Sequence, residues 1–107
     1  MSGQARLSRS FEDTLFRVGN ALSKTRGIIR IEGHTDNQMV GFSRTFKSNF
    51  DLSAARAASV ADFLVGETSL QNGRLTISGL ADTKPIGDNE TALGRAKNRR
   101  IEIYLDE

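Results

Sequence analysis

Cysteine and tryptophan are absent from this 107-residue sequence, and histidine and proline occur once each. Without cysteine there is no disulfide framework and no thiolate metal site, and the chain suits an oxidising or a reducing compartment equally. A single histidine leaves little room for a zinc site, so neither metal nor cofactor is expected. No run approaches the roughly 18 apolar residues of a membrane span, and the opening MSGQARLSRS lacks the apolar core of a signal peptide. No direct membrane contact is expected of this stretch. Charge of one sign is also lacking: 15 basic residues face 13 acidic ones, so bulk charge implies no polyanionic partner. What remains is 37% hydrophobic and 26% charged, too apolar for disorder and of a length for one domain over residues 1–107.

Apolar residues at Phe11, Leu15, Val18 and Leu22 trace one stripe of a helix between Ser10 and Lys24. Gly27 stops it, and Ile28 to Glu32 reads as a strand with Ile29 and Ile31 on one face. Periodicity then disappears from Gly33 to Phe50, a long connection for so small a domain. It returns in Asp51–Val65, a second helix that Gly66 is expected to end. Asn72-Gly73 marks a turn, Leu75–Ser78 a strand, Thr91–Asn98 a short helix, and Arg100–Leu105 a half-buried strand. The alternation predicts an α/β sandwich, a small mixed sheet with helices packed on one face.

Gly33-His34-Thr35-Asp36-Asn37 follows the first strand, at the sheet edge where α/β folds place ligands. Asp36 could serve there as a cation-binding carboxylate or as a turn former. With Asp51 or Ser53 as N-cap of the second helix, Arg56 falls in the first turn, against the helix dipole. A guanidinium there suits a carboxylate ligand, and an internal bridge to Asp36 is the alternative. The two together complement the ammonium and carboxylate of an amino acid. Catalysis is not expected, because a set of Ser53, His34 and Asp36 lacks the turn that exposes a nucleophile. Arg95, Lys97, Arg99 and Arg100 invite a nucleic-acid reading, yet strand parity separates Arg99, on the side of Ile101, from Arg100, on the side of Glu102. No nucleic-acid binding is expected, and Arg99 requires an anionic or carbonyl partner.

Three motifs in order carry a resemblance: Gly33 to Asn37, Asn49 to Ala57 with Val60, and Asn98-Arg99-Arg100-Ile101-Glu102. Together they resemble the peptidoglycan-binding domain of the OmpA C-terminal family over about Gly3 to Leu105. The resemblance implies non-catalytic binding of peptidoglycan through the meso-diaminopimelate of its stem peptide. It assigns Asp36 to the ligand's ammonium and Arg56 to its carboxylate, with Thr35, Asn49, Leu52, Asn98 and Arg99 on pocket motif positions. The length between Asp36 and Asn49 resembles the inner-membrane-anchored branch, the TssL-type anchors of type VI secretion and the MotB-type flagellar stator proteins. GHTDNQ, SNFDLS and GRAKNRR look nearer the secretion group. The chain is then expected to be a periplasmic piece of a larger inner-membrane protein, with other subunits of an envelope complex and a second copy of itself as candidate partners. The other reading is a protein-interaction module that keeps the fold without using the pocket, with Met39, Val40, Phe42 and Phe46 as apolar loop residues at an interface.

Overall fold

The computed structural model describes residues 6–39 and 45–107. Ser8 and Ser48 open the two long helices, each hydroxyl accepting a hydrogen bond from the backbone N–H three residues on. Helix α1 spans Arg9–Leu22 and buries Leu15. Helix α2 spans Asn49–Glu67 and buries Leu52, Ser53, Ala57, Val60 and Leu64. Its start therefore lies earlier than Asp51 or Ser53, because Ser48 is the cap and Asp51 reaches back to accept from Lys47 N–H. Gly66 does not end it: the helix runs through Glu67, and Thr68 closes it by returning its hydroxyl to the Leu64 carbonyl.

Strand β1 (Ile28–His34) is the middle of a three-stranded sheet. Strand β2 (Leu75–Gly79) lies parallel to it on one side and β3 (Arg100–Asp106) antiparallel on the other. The third helix, α3 (Ala92–Asn98), leads directly into β3. The mixed sheet and its helix layer are as the alternation of elements predicts. Ile29 and Ile31 of β1 meet Leu15, Ala57, Val60, Leu64 and Leu70 in one core. Arg74 fastens the link between α1 and β1, donating to the carbonyls of Leu22 and Gly27 and to the Thr25 hydroxyl, which satisfies carbonyls that a helix end leaves unpaired.

Helix α2 sits on the sheet at a pair of glycines that face each other across the parallel ladder, Gly33 and Gly79. A Cβ on Gly33 would lie 2.1 Å from the Ser53 carbonyl oxygen, and one on Gly79 would lie 2.4 Å from the Ala54 nitrogen. The helix backbone thus rests directly on the strand ends. The Ser53 hydroxyl uses this approach to accept from Ala81 N–H at 3.0 Å while donating to the Phe50 carbonyl. Leu80 N–H bonds the Gly33 carbonyl and Thr35 N–H the Ala81 carbonyl, so the chain leaving β1 and the chain leaving β2 are laced together.

Two substitutions test this packing in urea unfolding. Gly33→Ala is expected to destabilise by at least about 2 kcal/mol, since backbone must move to admit the methyl group. Gly66→Ala, on an open stretch of α2 where a Cβ meets nothing within 4 Å, is expected to stabilise by about 0.5–1 kcal/mol through helix propensity.

Candidate functional site

Asp36 follows β1 directly, and its side chain is only 2% exposed. One carboxylate oxygen accepts Gln38 N–H at 3.0 Å. The other receives the Arg99 guanidinium at 2.7 Å. The guanidinium that pairs with Asp36 is therefore Arg99, from the junction of α3 and β3, where sequence reasoning had considered Arg56. The sequence did point to an anionic partner for Arg99, on the parity that turns it away from Glu102.

Arg56 is the eighth residue of α2. That places it beyond the first turn, where the dipole acts, so the expected opposition to the helix N-terminus does not apply. What surrounds it is burial and charge. Burial lowers the affinity of its guanidinium for a proton, Arg99 lowers it further as a like charge, and Asp36 raises it. Two guanidiniums thus share the field of the Asp36 carboxylate. Arg56, Arg99 and Arg100 line a groove of about 610 Å³ together with Leu7, Phe11 and Ile101. Such a groove offers paired cationic donors beside an apolar wall.

Three further residues hold the site's walls. The Asn49 side-chain amide donates to the Gln38 carbonyl at 2.9 Å and reaches the Asp36 carbonyl at 3.5 Å. It ties the segment after β1 to the first residue of α2. Thr35 is buried and donates its hydroxyl to the Asp36 carbonyl, while Leu52 is buried beneath them in the first turn of α2.

Asn98 stands apart. It is fully buried, its carbonyl oxygen accepts from Ile86 N–H and Gly87 N–H, and its amide donates to the Gly87 carbonyl and to Asn89. Both ends of the side chain are thereby occupied in organising the 86–89 loop, which sets where α3 and hence Arg99 begin.

The cationic cluster divides as parity predicts. Arg95 donates to the Asn89 carbonyl, Arg99 turns to Asp36, and Arg100 turns to the opposite sheet face, where it meets Glu102 at 2.6 Å. Arg100 is more enclosed than a solvated helix end, since it also donates to the carbonyls of Lys84 and Asn98. His34 and Ser53 lie on different sides of β1: the serine hydroxyl is engaged with Phe50 and Ala81, and neither imidazole nitrogen has a hydrogen-bond partner. The candidate triad does not assemble. Among the loop apolar residues, Met39 is exposed (87%) but Phe46 is buried (8%), so Phe46 serves packing. Val40 and Phe42 lie outside the described residues.

The architecture defines the class. The C-terminal domain of Helicobacter pylori MotB superposes with a TM-score of 0.93 at 27% identity, covering 100% of this chain and 81% of that one. The cell wall anchor of the type VI secretion system from Pseudomonas aeruginosa gives a TM-score of 0.86 at 41% identity, over 96% of this chain and 71% of that one. The chain belongs to the OmpA family, whose model matches residues 1–99. The peptidoglycan-binding protein ArfA of Mycobacterium bovis is 40% identical over 78 residues, which is 73% of this chain and 22% of ArfA. The chain spans less than two thirds of the length of the first curated relatives it matches, 43% and 40% of two Bacillus subtilis proteins.

Asn98→Ala is expected to destabilise by about 1–3 kcal/mol, because the hydrogen bonds that its buried amide makes to the 86–89 loop are lost. Arg99→Ala is expected to cost a similar amount, because the enclosed Asp36 carboxylate loses its ion pair. Urea unfolding measures both. A loss of a few tenths of a kcal/mol for Arg99→Ala would mean that solvent replaces the guanidinium freely.

Proposed function

We propose that this domain binds peptidoglycan without catalysis, through the meso-diaminopimelate of the stem peptide, and so anchors an envelope complex to the cell wall. The observation that carries the reading is the enclosed Asp36 carboxylate set beside two guanidiniums, Arg99 in contact and Arg56 within its field. A zwitterionic amino-acid centre carries the matching charges. Its ammonium replaces Arg99 as the partner of Asp36, a cation for a cation, and its carboxylate takes the fork of Arg56 with Arg99 released to join it. Thr35, Asn49 and Leu52 shape the pocket, and Asn98 holds the 86–89 loop against the end of α3, next to Arg99. The printed descriptions of ArfA as peptidoglycan-binding and of the Pseudomonas protein as a cell wall anchor support this reading.

The machine we favour is a type VI secretion membrane complex, on the higher identity of the Pseudomonas anchor, 41% against 27% for MotB. A flagellar-type stator is the next reading. In either, residues 1–107 form one periplasmic domain of a longer inner-membrane protein, with other envelope subunits or a second copy as partners.

Sedimentation with purified sacculi tests the site. Asp36→Ala and Arg56→Ala are each expected to lower binding at least tenfold, as loss of a charge-assisted contact worth about 1.5–3 kcal/mol requires. Free diaminopimelate should compete with the parent protein. Arg56→Lys keeps the charge and loses the planar fork, so it should also bind weakly. Parent-like binding by both alanine variants would reduce the cluster to a structural bridge.

A further inference from the structure

The face of the sheet opposite α2 carries a second cluster that the peptidoglycan reading does not use. Glu32 of β1 and Glu102 of β3 are direct partners across the antiparallel ladder, a pairing of like charges that by itself is unfavourable. His34 follows one step along the same face. Its side chain is 1% exposed, neither ring nitrogen makes a hydrogen bond, and Nε2 points between the two acids. The separations are 3.5 Å to Glu32 Oε1 and 3.7 Å to Glu102 Oε1. One ligand atom from each of the three residues falls within 4.8 Å of the others.

We propose that Glu32, His34 and Glu102 form a binding site for a divalent transition-metal ion of the zinc class, which joins β1 to β3. The dimensions agree with that chemistry: donors about 2.0–2.2 Å from a tetrahedral zinc lie roughly 3.3–3.5 Å from one another. His34 already stands near that distance from both carboxylates. The remaining closure falls to Glu102, whose side chain is 28% exposed against 10% for Glu32. One imidazole nitrogen with two carboxylate oxygens suits zinc or its neighbours in the first transition row, whereas calcium and magnesium favour oxygen alone.

The surrounding groups already orient the acids. Arg30 holds Glu32 by Oε2 at 2.6 Å and Arg100 holds Glu102 by Oε2 at 2.6 Å, which leaves each Oε1 turned towards His34. Tyr104 donates its hydroxyl to Glu102 Oε1, leaving that oxygen a further lone pair for the ion. Ligating carboxylates in metal sites are commonly supported by outer hydrogen bonds of this kind. The sequence conceals the cluster, because its single histidine finds one of its acids 68 positions later in the chain, on a strand paired only by the fold.

Chelator-treated protein titrated with zinc chloride, and separately with magnesium chloride, tests the proposal. One equivalent of zinc should bind by calorimetry, the His34 ring nitrogens should shift in the NMR spectrum, and the melting temperature should rise. Magnesium should do none of these. Glu102→Gln preserves shape, its amide oxygen can still accept from Arg100 while its amide nitrogen donates to the Tyr104 hydroxyl, and it sits at the accessible rim, so it should fold as the parent does and bind zinc at least about tenfold more weakly. His34→Gln should abolish binding; if that variant fails to fold, Glu102→Gln decides. Absent zinc uptake, an unshifted His34 ring, or undiminished affinity in Glu102→Gln would overturn the site. None of these readouts depends on peptidoglycan.

Discussion

The rest of the molecule depends on how closely α2 approaches the strands it covers. With no side chain on Gly33 or Gly79, the backbone at Ser53 and Ala54 settles against β1 and β2. From that seat Ser53 receives Ala81 N–H, Thr35 N–H reaches the Ala81 carbonyl, and Asn49 takes hold of the segment after β1. A helix standing farther off, as side chains at these positions would require, would leave those hydrogen bonds unmade. Asp36 would then lack the enclosure that makes its charge consequential.

The charged groups divide cleanly between the two faces of the sheet because strand side chains alternate. Arg99 and Arg100 are neighbours in sequence, yet one enters the Asp36 site and the other the ladder of Glu102, Glu32 and Arg30. The two clusters handle charge differently. Around Asp36, the Arg99 guanidinium is in contact with the carboxylate and Arg56 lies within its field. On the far face, two arginines and two glutamates surround a buried imidazole, with the Arg30 guanidinium also stacked 4.4 Å from the Tyr104 ring.

Much of this was legible in the sequence. Helix α1 is announced by its four-residue stripe, and β1 and β3 by apolar residues at alternate positions, because these elements turn one row of apolar side chains to the core. The ends of α2 were less legible. Asp51, Ser53 and Ser48 are all competent caps, and only the tertiary seat of the helix selects Ser48; Gly66 looks like a stop, although an exposed glycine is tolerated inside a helix at modest cost. Asp36 and Arg56 stood out by residue type and position, whereas the pairing of Asp36 with Arg99 links positions 63 residues apart, beyond any local pattern. The inward turn of Phe46 is hidden for the same reason, since a loop aromatic shows no periodicity to say which side it packs.

The order in which the elements leave the ribosome gives that distant pairing a further meaning. Asp36 emerges early, ahead of α2, while Arg99 and β3 are the last of the described elements to appear. Until β3 takes its place along β1, the carboxylate lacks the Arg99 guanidinium that contacts it and the groove has no Ile101 wall. A partly synthesised or cleaved chain that keeps both the GHTD segment and α2 would hold two of the three charged groups without the enclosure. On the proposed reading, the grip on a zwitterion is therefore acquired only once β3 pairs with β1, and a fragment missing that strand has no contact between Asp36 and Arg99 to offer.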